Sequence, residues 1–192
     1  MTETVTTPRV WLGCLSCYNA GRLVGEWVDA STAADSVSDP EWCLGVHGPA
    51  MGDDEPVSAH EEWWVMDHEG LPISGECSPL MAQAWGDLLE RVDDTHLAAF
   101  LAWVECGNYS QDVDGLPILS DFDDAYEGEW DSQRDYAEQL ADDSGYLPSE
   151  DDLSVNPLLR YIDWEAWTRD LFMTDYYTAP APGYGVYVFR SY

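Results

Sequence analysis

The sequence contains no lysine, and its seven basic residues are all arginines set against 38 aspartates and glutamates. A P-loop needs a lysine after its glycines, so enzymes that bind nucleotides in this way are excluded. The formal net charge of −31 excludes nucleic acids and anionic membranes as direct partners, because both would repel the protein. A strongly basic partner is favoured instead.

Long apolar runs and a signal peptide are also missing, so no membrane span is predicted. The five cysteines are an odd number, which argues against a disulfide framework. We therefore expect a cytoplasmic protein with reduced thiols. Cys14 and Cys17 have the C-x-x-C spacing of half a zinc site, but no second C-x-x-C follows. We interpret both as structural cysteines at a strand end, and we expect no metal and no cofactor.

Motifs of catalysis are absent as well. There is no G-x-S-x-G elbow, and the four histidines (His47, His60, His68 and His96) show neither H-x-x-x-H nor H-E-x-x-H spacing. An acid–base pair among 38 carboxylates would be uninformative. The sequence therefore predicts a protein that is not an enzyme.

Acidic residues are abundant, above all over residues 112–152. This stretch holds fifteen acidic residues and one arginine, Arg134. Apolar residues such as Phe122, Trp130, Tyr136 and Leu140 are threaded through it, whereas a disordered acidic tail would lack them. We interpret the stretch as a folded surface of dense negative charge.

The negative charge is placed unevenly along the chain. The net charge is −1 over residues 1–34, −11 over residues 35–80 and −19 over residues 81–192. A halophilic protein would not leave its first segment nearly neutral. Duplex DNA carries one negative charge per roughly 1.7 Å, so the 31 net charges correspond to about 50 Å of duplex.

Local patterns predict an α+β protein in three parts, of which residues 1–77 form the first. Val10, Leu12 and Cys14 alternate on one strand, and a turn at residues 18–22 leads to a returning strand at residues 23–28. Residues 62–67 are a third strand by their aromatic and β-branched content. Residues 30–60 are predicted to be mostly loop, with a short helix near residues 32–37.

The second part, residues 78–118, is predicted to be a small helical domain. Ser78 caps a helix whose buried stripe contains Trp85 and Leu88. Thr95 caps a second helix, which ends at Gly107.

The third part, residues 119–192, is predicted to be an acidic α+β domain. Ser120 caps a short helix that reaches residue 126, and Ser132 caps a helix over residues 133–143. A last helical region starts near residue 156, and Asp163 caps its main helix. A stiff connector at residues 179–183 precedes a closing strand at residues 184–189. Four acids with helical spacing are predicted to line one exposed helix face: Asp131, Asp135, Glu138 and Asp142.

Several motifs, in this order along the chain, make the sequence resemble the ArdA-type antirestriction proteins. They are residues 8–13 (PRVWLG), 18–23 (YNAGRL), 25–29 (GEWVD), 67–72 (DHEGLP), 122–130 (FDDAYEGEW) and 161–171 (YIDWEAWTRDL). The sequence departs from the family at Trp164 and Trp167, where Tyr or Phe is expected. The loop near residues 35–60 and the tail after residue 176 are longer than usual, and Cys14 and Cys17 are not part of the family pattern.

The resemblance implies an elongated, curved chain of three small domains that pairs into a homodimer. It also implies a function: the protein mimics B-form DNA and occupies the DNA-binding groove of type I restriction–modification enzymes, formed by the methyltransferase core and its specificity subunit. Such proteins are carried by mobile genetic elements. Two protomers carry a charge of −62, equivalent to about 100 Å of duplex.

In this interpretation, carboxylates stand in for phosphates. The residues that we expect to do so are Asp87, Glu90, Asp93, Asp94, Asp121, Asp123, Asp124, Glu127, Glu129, Asp131, Asp135, Glu138, Asp142 and Asp143. The antirestriction motif supplies a further set, whose apolar members have the spacing either of a core helix or of a dimer interface: Tyr161, Asp163, Trp164, Trp167, Arg169, Asp170 and Leu171. Two other classes remain open: an acidic chaperone or inhibitor of another basic DNA-binding protein, and an acid-rich halophilic enzyme.

Overall fold

The structure is a computed structural model, and it describes residues 7–48, 60, 62–145 and 161–191. The chain divides into two compact units, Met1–Asp94 and Thr95–Tyr192. Each unit carries one three-stranded antiparallel sheet with helices packed against it, in agreement with the predicted α+β class. Among the described residues, no helix has the length and apolar character needed to cross a membrane.

The sheet of the first unit has the order β2-β1-β3, with β1 at Arg9–Cys14, β2 at Gly25–Asp29 and β3 at Trp63–Glu69. Val10 and Leu12 are fully buried, so the predicted alternation of the first strand is confirmed. The connection from β1 to β2 is not the simple turn that the sequence predicts. It begins with a short helix, α1 at Leu15–Asn19, in which the Cys14 sulfur accepts a hydrogen bond from the backbone N–H of Cys17.

The short helix predicted near residues 32–37 is confirmed, whereas the prediction that the rest of the segment after β2 is mostly loop is wrong over its described part. A 3₁₀ turn at Ala30–Thr32 is followed by α2 at Ala33–Ser38 and α3 at Pro40–His47. Two local features fix the start of helix α3. The Asp39 carboxylate accepts a hydrogen bond from the Glu41 N–H at 2.9 Å, and proline occupies the first helical position.

Helix α4 at Pro79–Glu90 completes the first unit, and the predicted Ser78 cap is confirmed by a 3.1 Å bond from the Met81 N–H. Its buried stripe packs on the 3₁₀ turn and on α2. Helix α5 at Leu97–Cys106 belongs to the second unit instead. Of the two helices predicted within residues 78–118, α4 thus packs mainly on helical elements of the first unit, whereas α5 packs on the sheet of the second.

The second sheet has the order β4-β6-β5, with β4 at Tyr126–Trp130, β5 at Tyr176–Pro180 and β6 at Val186–Arg190. The closing strand was predicted, but β4 and β5 were missed. The predicted stiff connector at residues 179–183 is wrong at its start, because Ala179 and Pro180 belong to β5 and pair with β6.

Aromatic side chains fill the core between α5, α6 (Leu119–Ala125) and this sheet. Phe100, Trp103 and Phe122 are fully buried, with ring centroids 5.3–5.9 Å apart. Two predicted caps are wrong: α5 has His96, not Thr95, at its N-cap position, and Ser120 lies inside α6, whose N-cap position is Ile118. The predicted end of α5 at Gly107 is confirmed by its left-handed φ of 72°.

Helices α7 (Gln133–Asp143) and α8 (Trp164–Thr174) pack against each other and share a buried cluster that contains Tyr136, Tyr176 and Val188. Both predicted caps are confirmed. The Ser132 hydroxyl accepts from the Asp135 N–H at 3.2 Å, and the Asp163 carboxylate accepts from the Ala166 N–H at 3.0 Å. The helical region predicted to start near residue 156 lies outside the described residues up to residue 160.

Candidate functional site

The acidic surface of the second unit starts on α6. Phe122 and Ala125 are buried under the helix, so the intervening Asp123 and Asp124 point to solvent. Asp121 is half-buried at the first turn. The amphipathic pattern of this short helix thus exposes its carboxylates by burying its aromatic side.

Strand β4 continues the surface with Glu127 and Glu129. Glu129 is exposed, whereas Glu127 is half-buried and accepts a hydrogen bond from the Arg190 guanidinium on β6 at 2.6 Å. The charge of Glu127 in turn raises the pKa of Arg190. Glu127 is therefore partly neutralised, and we expect it to contribute less to the outward field than Glu129.

Helix α7 supplies the densest row. Asp135, Asp142 and Asp143 are exposed, and Glu138 forms an i,i+4 ion pair with Arg134 at 2.5 Å. Asp131 was predicted to share their helix face, but it precedes the Ser132 cap and lies outside the helix. It is exposed nonetheless.

The position of these acids opposes helix stability. The negative end of a helix dipole lies at its C-terminus, where cations stabilise and anions destabilise. Asp123 and Asp124 lie in the last turn of α6, and Asp142 and Asp143 in the last turn of α7. Neither helix has a basic residue in its last turn. By this effect the four carboxylates weaken their helices, although Asp143 also accepts a 2.9 Å hydrogen bond from the Gln139 amide on α7.

Four more predicted phosphate mimics lie in the first unit. Asp87 and Glu90 occupy the exposed side of α4, and Asp93 and Asp94 are exposed just beyond its end. The predicted set is thus divided between the two units, with ten of its members on residues 119–143.

The antirestriction motif divides into buried and exposed members. Leu171 is buried, and Trp167 packs on the same cluster and donates its indole N–H to the Ala137 carbonyl on α7 at 3.3 Å. Tyr161 is 82% exposed, and Arg169 and Asp170 pair at 2.8 Å on the surface. Trp164 is half-buried and Asp163 is the helix cap. The core interpretation is therefore correct for Trp167 and Leu171, and the interface interpretation stays a prediction for the exposed residues.

One contact of this surface had no signal in the sequence. The pairing of Glu127 with Arg190 joins residues 63 positions apart and exists because β4 and β6 are neighbours in the sheet. Since the sequence analysis missed β4, it could not assign Arg190 a role.

The fold defines a small α+β protein in which α6, β4 and α7 of the second unit each carry exposed carboxylates. A comparison of the sequence with models of protein families identifies the family. The sequence model described as antirestriction protein (ArdA) matches residues 10–186, and the chain belongs to this family of antirestriction proteins. The resemblance inferred from the motifs is thereby confirmed. A search among curated proteins returned no match.

Proposed function

We propose that the protein inhibits type I restriction–modification enzymes by mimicking B-form DNA in the groove of their methyltransferase core and specificity subunit. The observation that carries this proposal is the acidic segment of residues 119–143, which holds ten carboxylates and one arginine, Arg134, while Arg190 of β6 pairs with Glu127. Most of them are exposed on the helices α6 and α7 or on strand β4. A DNA-binding groove is lined with cations that pair with phosphates, and carboxylates accept the same charge-assisted hydrogen bonds.

The mechanism requires no catalysis and no cofactor. The long-range field of the protein accelerates its encounter with a basic groove, and salt screens this field. Binding is therefore fast and sensitive to ionic strength. Because the charge is distributed over many residues, no single carboxylate decides the affinity.

We further propose that the active form is a homodimer with a charge of −62, which matches about 100 Å of duplex. The exposed members of the motif, Tyr161 above all, are available for such an interface. The protein would act in the cytoplasm, where restriction enzymes meet incoming DNA, and a mobile genetic element would carry its gene.

The decisive experiment is cleavage of unmodified DNA by a purified type I restriction enzyme, titrated with the protein. We expect inhibition near stoichiometric amounts, relieved by added salt or by excess competitor DNA. Cleavage that continues at large excess of the protein, with enzymes from several type I families, would overturn the proposal. Tight binding to histone-like basic proteins in that case would favour the acidic chaperone.

A further inference from the structure

Two cysteines and two histidines meet in the interior of the first unit. Cys14 ends β1, Cys17 lies in α1, His47 ends α3, and His60 precedes β3. One potential ligand atom from each of the four lies within 4.8 Å of the others. The exposed fraction is 0% for both cysteines and His47, and 3% for His60.

Two of the distances between ligand atoms are close to those of a tetrahedral metal site, and the group, whose ligand atoms lie within 4.8 Å of one another, would contract slightly around an ion. With Zn–S bonds of about 2.3 Å and Zn–N bonds of about 2.0–2.1 Å, neighbouring ligand atoms lie roughly 3.3–3.8 Å apart. The Nδ1 atom of His60 lies 3.3 Å from the Cys14 sulfur and 3.4 Å from the Cys17 sulfur. An imidazole nitrogen nearly equidistant from two thiols is placed to serve as a third ligand beside them.

His47 is oriented to supply the fourth ligand. Its Nδ1–H donates to the Cys43 carbonyl at 2.9 Å, which leaves the lone pair on Nε2. Among the residues that the structure describes, this buried Nε2 atom has no hydrogen-bond partner. Fixing one ring nitrogen by a backbone carbonyl is how proteins orient metal-binding histidines. The Trp63 ring, 5.0 Å from that of His47, covers this side of the cluster.

The two cysteines have the local geometry of a C-x-x-C ligand pair. Helix α1 starts directly after Cys14, and the Cys17 N–H approaches the Cys14 sulfur at 3.5 Å. Both thiols are reduced in the structure. A backbone N–H that points at the sulfur of a metal ligand stabilises its thiolate form.

We propose that Cys14, Cys17, His47 and His60 bind one structural zinc ion. Two thiolates and two neutral imidazoles are the ligand set of a closed, four-coordinate zinc site, and two thiolates neutralise Zn²⁺ in a buried position. The ion would connect the end of β1, the end of α3 and the start of β3. This departs from the sequence-based expectation of no metal, and it holds whether or not the protein inhibits restriction enzymes.

The test is to purify the full chain under reducing conditions and measure its metal content. We expect one zinc per chain. Replacement by Co²⁺ should give the visible spectrum of tetrahedral cobalt with thiolate ligands, and removal of zinc by a chelator should lower the melting temperature. Wild-type protein that binds neither metal stoichiometrically, or that holds Cys14 and Cys17 as a disulfide after purification with reductant, would overturn the proposal.

Matched variants locate the site. Cys17→Ser and His47→Ala should lose most of the bound zinc and the cobalt spectrum, whereas Cys106→Ser and His68→Ala, whose positions lie outside the cluster, should keep both. Zinc retained at full stoichiometry in Cys17→Ser would exclude these ligands. If the ligand variants fail to fold, the cobalt spectrum of the wild-type protein still decides the proposal.

Discussion

Gly86 on α4 lies directly against the main chain at Ser31, so that a Cβ atom placed on Gly86 would come 2.3 Å from the Ser31 nitrogen. The same atom would lie 2.7 Å from the carbonyl carbon of Ala30. Backbone atoms cannot move aside as a flexible side chain can. Helix α4 therefore rests on the 3₁₀ turn at the closest distance that two backbones allow, and only glycine permits it.

Gly86→Ala should consequently destabilise the protein. Overpacking typically costs about 1–3 kcal/mol, which outweighs the gain of roughly 1 kcal/mol in helix propensity. Thermal or urea unfolding would measure the change. Gly45→Ala on α3 is the matched control, because a Cβ there meets nothing within 4 Å. It should leave the free energy of unfolding unchanged or raise it, and equal effects of the two substitutions would contradict the packing argument.

The two ends of α7 should respond in opposite directions to loss of one charge. Asp135 lies in the first turn, where it accepts a 2.6 Å bond from the Ser132 hydroxyl, and Asp142 lies in the last turn. At low salt, Asp135→Asn should destabilise and Asp142→Asn should stabilise, each by about 0.3–1 kcal/mol. Both variants have the same net charge, so the difference between their unfolding free energies reports the local effect alone. A difference of zero would show that the helix dipole is fully screened.

Inhibition of a restriction enzyme should depend on the number of charges on the acidic surface. Asp135→Asn alone should change the inhibitory concentration by only a few-fold. Joint replacement of the exposed Asp123, Asp124 and Asp142 by asparagine should weaken inhibition about tenfold, since roughly 0.5 kcal/mol for each lost pair adds to about 1.5 kcal/mol.

A control for this experiment keeps the net charge equal. Glu26, Glu69 and Glu76 are exposed in the first unit and are not among the predicted phosphate mimics. Their joint replacement by glutamine should weaken inhibition less than the triple aspartate variant. Equal losses would mean that only the total charge matters, and complete loss from Asp135→Asn would contradict the distributed surface.

Substitutions at buried members of the antirestriction motif should lower stability, whereas substitutions at exposed members should change the oligomeric state. Trp167→Ala should lower the free energy of unfolding by roughly 2 kcal/mol or more, because its ring packs on the cluster of α7 and α8. Tyr161→Ala should leave the fold intact and convert a dimer to a monomer, measured by light scattering. A dimer that persists in Tyr161→Ala would remove Tyr161 from the interface.

Alkaline pH should destabilise the second unit through its buried tyrosines. Burial, above all, raises the pKa of Tyr136 well beyond its ordinary value of 10. Above pH 10 the unfolded chain loses this proton while the folded protein keeps it, so the associated stability is present below pH 10 and is lost as the pH rises further. Tyr136→Phe should therefore lose less stability than the wild type between pH 9 and pH 11. Tyr184→Phe, at a fully exposed position, should follow the wild type.

Elements whose signals are local were predictable from the sequence. Ser78, Ser132 and Asp163 cap their helices because a side-chain oxygen and an N–H three residues later are all that a cap requires. Strand β1 was predictable because one of its faces is fully buried and the other is not. The exposure of the acids follows in the same way from the apolar residues between them.

Features that depend on distant partners were not predictable. Strand β4 has no local signal: the sequence predicts a helix that reaches residue 126 and no strand after it, and only pairing with β6, some sixty residues later, makes Tyr126–Trp130 a strand. The cluster of Cys14, Cys17, His47 and His60 was not predicted for the same reason. The C-x-x-C spacing was visible, but 29 residues separate Cys17 from His47, and no spacing rule joins them.

The strand orders have a consequence for synthesis of the chain. The first strand, β1, lies in the middle of its sheet and can complete its pairing once Glu69 has left the ribosome. The middle strand of the second sheet is instead its last, β6, which ends at Arg190. At roughly 5–20 residues per second, the 121 residues between these two positions take about 6–24 s to add. While the last 47 of these residues, those that follow Asp143, are being added, α6 and α7 carry their negative charges without the strand that holds them to a core. The nascent acidic segment is then exposed to every cationic surface near the tunnel exit, and it becomes a defined surface only when the final strand is inserted.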